Sequence, residues 1–426
     1  MTGSATGAPT PTEPIVLHRF DDVRDAYRRK ELRQALYDDG AIVMADCLLT
    51  LHGDAHRARR RLENRLFRRE MFQQWERNVL GPTVTHALAP FVTAGTGDLL
   101  PIGYRTTMAL TALIAGVDHA DDPGTTDSLY ELVKVFSIGA TLVHTTRPRH
   151  EVVAEVQAAI DQFDCAFLQP SISRRRGLLR DVETGARLED ALPKDVLTTL
   201  LRNEDALALP ADVVRREICF YLQAGSHSTA NAFTHTMHQL FGWFDDHPSD
   251  EYRLRRACET GTIGTADRLF LQRCVHESLR LVPASPVAWR RPDTTTALPS
   301  GCRLPADALV VLDLMAANRD PHVFGPTAHQ FDPNRDVPDG VARWGHAFGG
   351  GTHACIGREL DGGADPDDVT NADDHLYGTI EVMIETLLAT GAHPDPSAPP
   401  VLDPSSSRPH FSSYPVRFQR TDSSVG

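Results

Sequence analysis

The chain has 426 residues, of which 41% are hydrophobic and 23% charged, and its formal net charge is −14 at pH 7. This composition is typical of a globular protein with a packed core. The acidic balance argues against a nucleic-acid partner, because such binding needs a basic surface. No apolar run is long enough to span a membrane, and the first residues lack the features of a signal peptide. We therefore expect a cytoplasmic protein without nucleic-acid or membrane partners.

The ends of the chain and one internal segment differ from the globular pattern. Residues 1–14 are small and polar and predict a disordered lead-in, and residues 421–426 predict a similar tail. Between them we expect a single domain, residues 15–420. The internal segment 361–374 carries six aspartates and no basic residue, which predicts a solvated, acidic inserted loop.

Helical spacing of apolar residues dominates the chain. The predicted helices cover 20–36, 54–80, 105–117, 126–142, 150–165, 193–203 and 266–281, and the longest begins at 210 and runs past 241. In this long helix, Gly225 and Ser226 weaken the helical preference, so we expect a distortion where another group approaches the backbone. Short β-prone runs between 286 and 316 predict a small sheet. The predicted fold class is mainly α with minor β.

Seven cysteines are scattered along the chain without CxxC pairs, which fits neither a disulfide framework nor a zinc site. Cys355 alone lies in a distinctive setting, a glycine-rich stretch with the spacing F-x-x-G-x-H-x-C-x-G. The residues at these five positions are Phe348, Gly351, His353, Cys355 and Gly357.

A thiolate that binds a metal explains this spacing, because glycines expose N–H donors and a following helix would supply its positive end. The alternative is a glycine-rich loop around a buried, inert cysteine. A phosphate-binding loop is disfavoured, because no Gly-Lys-Ser/Thr follows.

The stretch around Cys355 resembles the haem-binding signature of the cytochrome P450 family, in which the cysteine thiolate binds the iron of haem b. Glu277 and Arg280 resemble the family's E-x-x-R pair, which belongs to a buried network behind the haem. Gln330 stands where an arginine often completes that network, and Arg335 is the candidate substitute. The resemblance therefore implies a P450 fold with Cys355 as the metal ligand.

The resemblance also implies four contacts to the haem propionates. His56 and Arg60 match the family's H-x-x-x-R on an early helix, Arg290 matches an arginine on a later strand, and His353 is the fourth contact. Buried carboxylates need such charge-assisted donors. The alternative for each arginine alone is a solvated helix face.

The long helix contains the sequence AGSHST, which aligns with the family's oxygen-binding motif A-G-x-[D/E]-T-T. Ala224 and Gly225 are expected beside the haem, and Ser228, His227 and Thr229 are the candidate catalytic residues. The sequence departs from the family, because His227 replaces the acid and Ser228 the threonine that deliver protons. We expect His227 either to relay protons near neutral pH or to be hydrogen-bonded elsewhere while water delivers them.

Substrate contacts implied by family position are Val282, Val287, His410 and Phe411; the alternative is that they are plain core or turn residues. Family members have a longer N-terminal portion before the segment that 20–29 resembles. We therefore expect an N-terminally shortened P450 fold whose substrate side is open or covered by another subunit.

The resemblance implies a haem-thiolate monooxygenase that oxidises a small organic molecule, by hydroxylation or by oxidative ring formation or coupling, in bacterial secondary metabolism. Its electrons would come from a separate ferredoxin or flavodoxin system, since the chain has no flavin or NAD fingerprint. Segment 361–374, on the proximal face, would repel an acidic ferredoxin.

Two other functions are compatible with the sequence. The changes at positions 227 and 228 and the acidic segment favour a haem enzyme that needs no reductase. Such an enzyme could be a peroxygenase, could rearrange an N–O or O–O bond, or could carry out a nitrene-type transfer. The more remote alternative is a haem-binding sensor or carrier without turnover.

Overall fold

The structure is a computed structural model that describes residues 13–118 and 123–418. The predicted tail 421–426 lies outside the described residues. So does the predicted lead-in 1–14, apart from Glu13 and Pro14.

Helices form most of the described chain, which confirms the predicted fold class. They are, in chain order, Phe20–Arg28 (α1), Ala41–Met44 (α2), Gly53–Glu63 (α3), Arg69–Trp75 (α4), Gly81–Ala94 (α5), Leu99–Ala115 (α6), Pro123–Ala140 (α7), Arg149–Phe163 (α8), Gln169–Glu183 (α9), Val196–Arg202 (α10), Ala211–Asp246 (α11), Pro248–Glu259 (α12), Thr265–Leu281 (α13), Leu314–Ala317 (α14), Pro321–Phe324 (α15), Arg358–Asp361 (α16) and Thr379–Ala389 (α17). Within the described ranges, no helix is both long and apolar enough to cross a bilayer.

Short strands form four small sheets in the described part of the chain. The strands are Ile15–Leu17 (β1), Leu32–Gln34 (β2), Thr96–Asp98 (β3), Val287–Pro292 (β4), Thr296–Ala297 (β5), Arg303–Leu304 (β6), Val310–Asp313 (β7), His393–Pro394 (β8), Val401–Leu402 (β9), Phe411–Ser413 (β10) and Pro415–Arg417 (β11). The largest sheet has the order β1-β7-β4-β2, in which only β1 and β7 are parallel. The strands predicted between 286 and 316 are therefore present.

Two predicted helices are shorter than the sequence pattern indicates. The helix predicted at 20–36 ends at Arg28, and Leu32–Gln34 instead pairs with β4, with Gln34 opposite Arg290. The helix predicted at 54–80 breaks after Glu63 and resumes at Arg69. In both places tertiary packing overrides a local helical pattern. The longer helices α5, α9, α12 and α17 lie in segments for which the sequence pattern predicts no helix, as do the short helices α2, α14 and α15.

The long helix α11 runs through the core and packs closely against α6. A Cβ on Gly103 of α6 would lie 3.2 Å from the Cα of Ala230, and a Cβ on Gly225 would lie 2.9 Å from a side-chain carbon of Thr111. Small residues are therefore needed where the two helices meet. The helix is continuous from Ala211 to Asp246, so the expected distortion at Gly225 and Ser226 does not interrupt it.

Buried polar contacts fasten α3 to α11. Arg59 forms an ion pair with Glu217 at 2.7 Å, and both side chains are almost fully buried. One turn further, the hydroxyl of Tyr221 donates to Glu63 at 2.6 Å. Because charges buried in this way must be paired, the orientation of α3 is fixed, and with it the positions of His56 and Arg60.

A second buried network surrounds Glu277 on α13. Its carboxylate pairs with Arg280 at 2.6 Å and with Arg335 at 3.1 Å. Arg335 also donates to the backbone carbonyls of Phe324 and Thr327. Arg335, the candidate substitute for an arginine at position 330, therefore does join the pair.

We expect Arg335→Leu to lower the free energy of unfolding by about 3 kcal/mol, because Glu277 then loses one of two buried counter-charges and two carbonyls lose their donor. Urea unfolding followed by circular dichroism measures the change. Arg57→Leu, which removes an exposed ion pair with Asp54, should alter the same quantity by less than about 1 kcal/mol. Equal effects of the two substitutions would contradict the structural role of Arg335.

The acidic segment 361–374 interrupts a helical stretch, because α16 ends at Asp361 and α17 begins only at Thr379. The side-chain amide of Gln272 holds the two ends of this segment together, because it donates to the carbonyls of Ala364 at 2.8 Å and Leu376 at 2.9 Å. A helix is predicted after Cys355, and α16 does begin at Arg358, but it is only four residues long.

Asp361 differs from the other aspartates of the segment, because its side chain turns inward. Its carboxylate accepts a hydrogen bond from the Thr229 hydroxyl at 2.6 Å, which joins α16 to α11. Burial raises the pKa of Asp361 from its ordinary value of 3.8 to about 6. Asp367, Asp368, Asp373 and Asp374, in contrast, are exposed.

This pKa predicts a pH-dependent contribution to stability. Between about pH 4 and pH 6 the unfolded chain releases the Asp361 proton while the folded chain retains it, so stability from this group falls as pH rises. Asp361→Asn keeps an acceptor for Thr229 and abolishes this loss. We expect the variant to gain on the order of 1–3 kcal/mol over wild type between pH 4 and pH 7.

Urea unfolding at several pH values measures this difference. The control is Asp368→Asn in the exposed part of the same segment, which should change the free energy of unfolding by less than about 0.5 kcal/mol. Parallel pH profiles for wild type and Asp361→Asn would disprove the assignment.

Candidate functional site

A cavity of about 330 Å³ lies between α11 and the loop that carries Cys355. It brings together most of the residues that the sequence assigns to a haem site. These are His56, Arg60, Ala224, Gly225, His227, Ser228, Thr229, Arg290, Phe348, His353, Cys355 and Gly357. Gly351 is not in the cavity lining, although it belongs to the same loop.

Backbone geometry fixes the loop around Cys355. The Cys355 N–H donates to the carbonyl of Phe348 at 2.9 Å. Gly351 has φ +63°, and a Cβ there would collide with the carbonyl oxygen of Tyr27. Glycine is therefore required at position 351 for packing against α1, which explains its place in the motif without any contact to a ligand.

The Cys355 side chain is exposed although protein surrounds it, because its exposed surface faces the cavity. Burial and the nearby Asp361 raise the pKa of its thiol to about 11, against the lowering effects of the Gly357 N–H, Arg60 and Arg358. The glycine and helix-end groups expected from the sequence are present, but they do not outweigh burial. Ionisation of Cys355 therefore depends on a cation bound in the cavity.

One side of the cavity carries the groups expected to bind carboxylates. His56 is buried, and its Nε2 atom has no hydrogen-bond partner among the described residues. Arg60 donates to the carbonyl of Ala354 at 2.9 Å. Arg290 is buried, lies over the ring of Tyr27 and donates to the side chain of Gln34.

His353 lies beside His56, with ring centroids 4.5 Å apart. Its Nε2 donates to the carbonyl of Leu51 at 2.9 Å, and its Nδ1 is 3.3 Å from the hydroxyl of Thr352. Burial lowers the pKa of His353 to about 4, so the ring is neutral at pH 7. Both ring nitrogens of His353 thus have hydrogen-bond partners within the protein, whereas the Nε2 of His56 has none among the described residues.

These features fit a bound haem. Within the described ranges no group of three or more His, Cys, Asp or Glu side chains could hold a metal ion. Among the described residues, His56 Nε2 has no hydrogen-bond partner and the buried Arg290 has no carboxylate partner, so both side chains are available to bind haem propionates. A Cβ added at Gly357 would meet no atom of the described residues within 4 Å, so the cavity wall is open beside Cys355.

The α11 face of the cavity holds the three candidate catalytic residues. The hydroxyl of Ser228 donates to the Ala224 carbonyl at 2.5 Å, and the hydroxyl of Thr229 lies 2.7 Å from the Gly225 carbonyl. His227 Nδ1 is hydrogen-bonded to the hydroxyl of Tyr104.

Electrostatics keep His227 neutral. Burial, together with the positive charge of Arg408, lowers its pKa well below the ordinary value of 6.5. Because the neutral ring is already bound to Tyr104, the second expectation for His227, a hydrogen bond away from the reacting centre, has the stronger structural support.

Of the four residues expected to contact substrate, one lines the cavity and three do not. Val287 lines the cavity, whereas Val282, His410 and Phe411 do not. His410 is buried behind His227, with ring centroids 5.2 Å apart, and Phe411 packs against His235.

Two charged residues of the cavity lining are not identified by the sequence patterns. Arg408 lies only two positions before His410, and Asp361 falls within a segment whose composition predicts a solvated loop. A single polar residue in an irregular segment produces no periodic signal, so neither side chain could be assigned to the cavity from the sequence.

Comparison with known proteins agrees with this geometry. Residues 166–360 match the family model described as Cytochrome P450. The taurochenodeoxycholic 6 alpha-hydroxylase of Sus scrofa is 30% identical over 221 residues, which cover 49% of this chain and 40% of that protein. The chain therefore matches about two fifths of this relative's length.

Solved structures share the whole fold at lower identity. The structure of CalO2 has a TM-score of 0.71 and 21% identity, and covers 95% of this chain and 90% of its own. P450BioI, solved in complex with hexadec-9Z-enoic acid ligated acyl carrier protein, has a TM-score of 0.69 and 18% identity, with coverages of 95% and 92%. These solved structures show that the chain has the cytochrome P450 fold, and residues 166–360 of that fold match the family model.

Proposed function

We propose that the chain is a haem-thiolate oxidoreductase that oxidises a small organic molecule in bacterial natural-product biosynthesis, by hydroxylation or by oxidative ring formation or coupling. The observation that carries the proposal is the cavity in which Cys355, the propionate-binding side and α11 face one another. Haem b is the cofactor of the family. When bound, it supplies the oxidation chemistry, which a thiolate ligand favours by donating electron density to the iron.

The side chains of the cavity have distinct roles in this function. Cys355 binds the metal, and His56, Arg60 and Arg290 neutralise the propionates. Leu110, Ile114 and Val287 provide apolar surface that holds the substrate and excludes water. Ser228 occupies the motif position of the threonine that delivers protons in the family, and its hydroxyl donates to the Ala224 carbonyl.

The assignment of Cys355 is tested by Cys355→Ala. We expect the wild-type protein, reduced and exposed to carbon monoxide, to show the red-shifted Soret band of thiolate ligation, and the variant to lose that band. Cys302→Ala, at a partly buried thiol outside the cavity lining, should leave the spectrum unchanged. A colourless wild-type protein after haem addition, or an unchanged band in Cys355→Ala, would exclude the proposed function.

The low pKa of His227 generates a prediction about proton supply. A carboxyl group at this position can exchange protons near neutral pH, whereas neutral His227 bound to Tyr104 is a poor donor. We therefore expect His227→Asp to increase several-fold the rate of NADH oxidation with a surrogate ferredoxin and its reductase. Tyr104→Phe, which frees the ring without adding an acid, should change the rate less. An unchanged rate in His227→Asp would show that position 227 does not limit proton delivery.

A second function, oxidation or rearrangement without a reductase, is favoured by the acidic segment. Four of its aspartates are exposed, and only two of them have an arginine partner among the described residues: Asp367 with Arg343 and Asp374 with Arg77. An acidic ferredoxin would be repelled by this charge. Product formed anaerobically without reductant would select this alternative over a ferredoxin-dependent oxidation.

A further inference from the structure

Six arginines are buried in the part of the chain that the structure describes, and four of them form ion pairs. The buried six are Arg59, Arg175, Arg280, Arg290, Arg335 and Arg408. Arg59 pairs with Glu217, Arg175 with two aspartates, and Arg280 and Arg335 with Glu277. Arg290 and Arg408 have no such partner among the described residues, and both line the cavity.

These two arginines differ in their hydrogen bonds, although both act electrostatically on Tyr37. Arg290 donates hydrogen bonds to Gln34 and to the carbonyl of Trp289 and influences His353 electrostatically. It thus belongs to the side that binds propionates. The guanidinium of Arg408 donates no hydrogen bond within the described chain, and its buried Nε is without a partner.

Arg408 lies near the α11 residue assigned to the reacting face. Its charge contributes to the lowered pKa of His227 and to that of His410, both of which are neutral rings that cannot compensate it. The one carboxylate that acts on Arg408 electrostatically within the described ranges is Asp403, which is already bound by the N–H and hydroxyl of Ser405 at 2.8 Å and 2.6 Å.

The loop that carries Arg408, between β9 and β10, is held firmly. The Ser407 N–H donates to the His144 carbonyl at 2.8 Å, and the Thr146 N–H donates to the Ser405 carbonyl at 3.1 Å. The Asp403 N–H donates to the His410 carbonyl at 2.8 Å, which closes the loop at its base. Arg408 is therefore positioned before any ligand binds, and little ordering is needed on binding.

A buried charge without a counter-charge is strongly unfavourable, and proteins pair or neutralise such groups. A guanidinium keeps its proton at all physiological pH values, so neutralisation is not available to Arg408. The missing negative charge must therefore come from a molecule in the cavity. A single planar guanidinium among neutral rings matches a carboxylate, which it can bind through two parallel hydrogen bonds.

We propose that Arg408 binds the carboxylate of the substrate, and that the substrate is a small carboxylic acid with an apolar body. This inference rests on the proposed function, because the apolar body must extend from Arg408 past His227 toward the space above Cys355. A haem propionate has the same chemistry, so the experiment must distinguish the two sources.

The probes are two matched series, ω-imidazolyl alkanoic acids and ω-imidazolyl alkanols of increasing chain length. The imidazole can bind the iron of the haem-loaded protein and shift its absorption, while the other end reaches into the cavity. At the chain length that spans to Arg408 we expect the acid to bind about tenfold more tightly than the alcohol. Arg408→Leu should abolish this preference, and Arg408→Lys should retain part of it.

Two comparisons decide whether Arg408 binds the carboxylate of the substrate or a propionate of the haem. The haem content of Arg408→Leu should equal that of wild type, whereas a loss comparable to that in Arg290→Leu would overturn the proposal by assigning Arg408 to the cofactor. The control Arg187→Leu removes an exposed arginine and should preserve the preference for the acid. Equal binding of acid and alcohol to wild type, or a preference that persists in Arg408→Leu, would also overturn it.

The thermal unfolding midpoint of the same samples reports the anion site without relying on iron. The acid should raise the midpoint more than the alcohol in wild type, and both should raise it equally in Arg408→Leu. If no imidazole shifts the absorption of wild type while this difference in midpoint is present, the haem function fails and the anion site stands. If the absorption shifts but neither measurement distinguishes acid from alcohol, the anion site fails and the haem function stands.

Discussion

The need to compensate buried positive charge organises the centre of this protein. Arg59 and Glu217 join α3 to α11, and Arg280 and Arg335 share Glu277 behind the cavity. Because the cost of an isolated charge inside a protein is several kcal/mol, these pairs fix the helices that surround the cavity. Arg290 and Arg408 have no carboxylate partner among the described residues. Both lie at the cavity wall, where a bound molecule can supply the negative charge.

Two cavity-lining positions of α11 have different polar partners. His227 is bound to Tyr104 and kept neutral, so the position at which the resemblance implies an acid has no acidic group. Two residues further, Thr229 is bound to Asp361, a buried carboxyl group with a pKa of about 6. α11 thus has no acid at position 227, but Asp361, from the segment after Cys355, contacts the same helix at Thr229.

The sequence predicts the parts of the site that depend on local chemistry. The spacing around Cys355 could be identified because its residue types have a physical reason in thiolate binding. His56, Arg60 and Arg335 could be proposed because of the family resemblance that this spacing carries. The strand Leu32–Gln34 could not, because its three residues gain their conformation from pairing with β4. Arg408 and Asp361 escape sequence reasoning because burial of one side chain in an irregular segment depends on distant contacts, which composition does not report.

The segment between α16 and α17 is closed at its base like a hairpin. Gln272 holds Ala364 and Leu376 together, and the N–H groups of Tyr377 and Gly378 are bound by Glu76. The residues at its tip, around Asp367 and Asp368, are exposed. Since the two ends stay fixed whatever lies between them, extra residues can be added at the tip with small entropic cost. A fluorophore or affinity tag placed there would therefore label the protein without disturbing the helices.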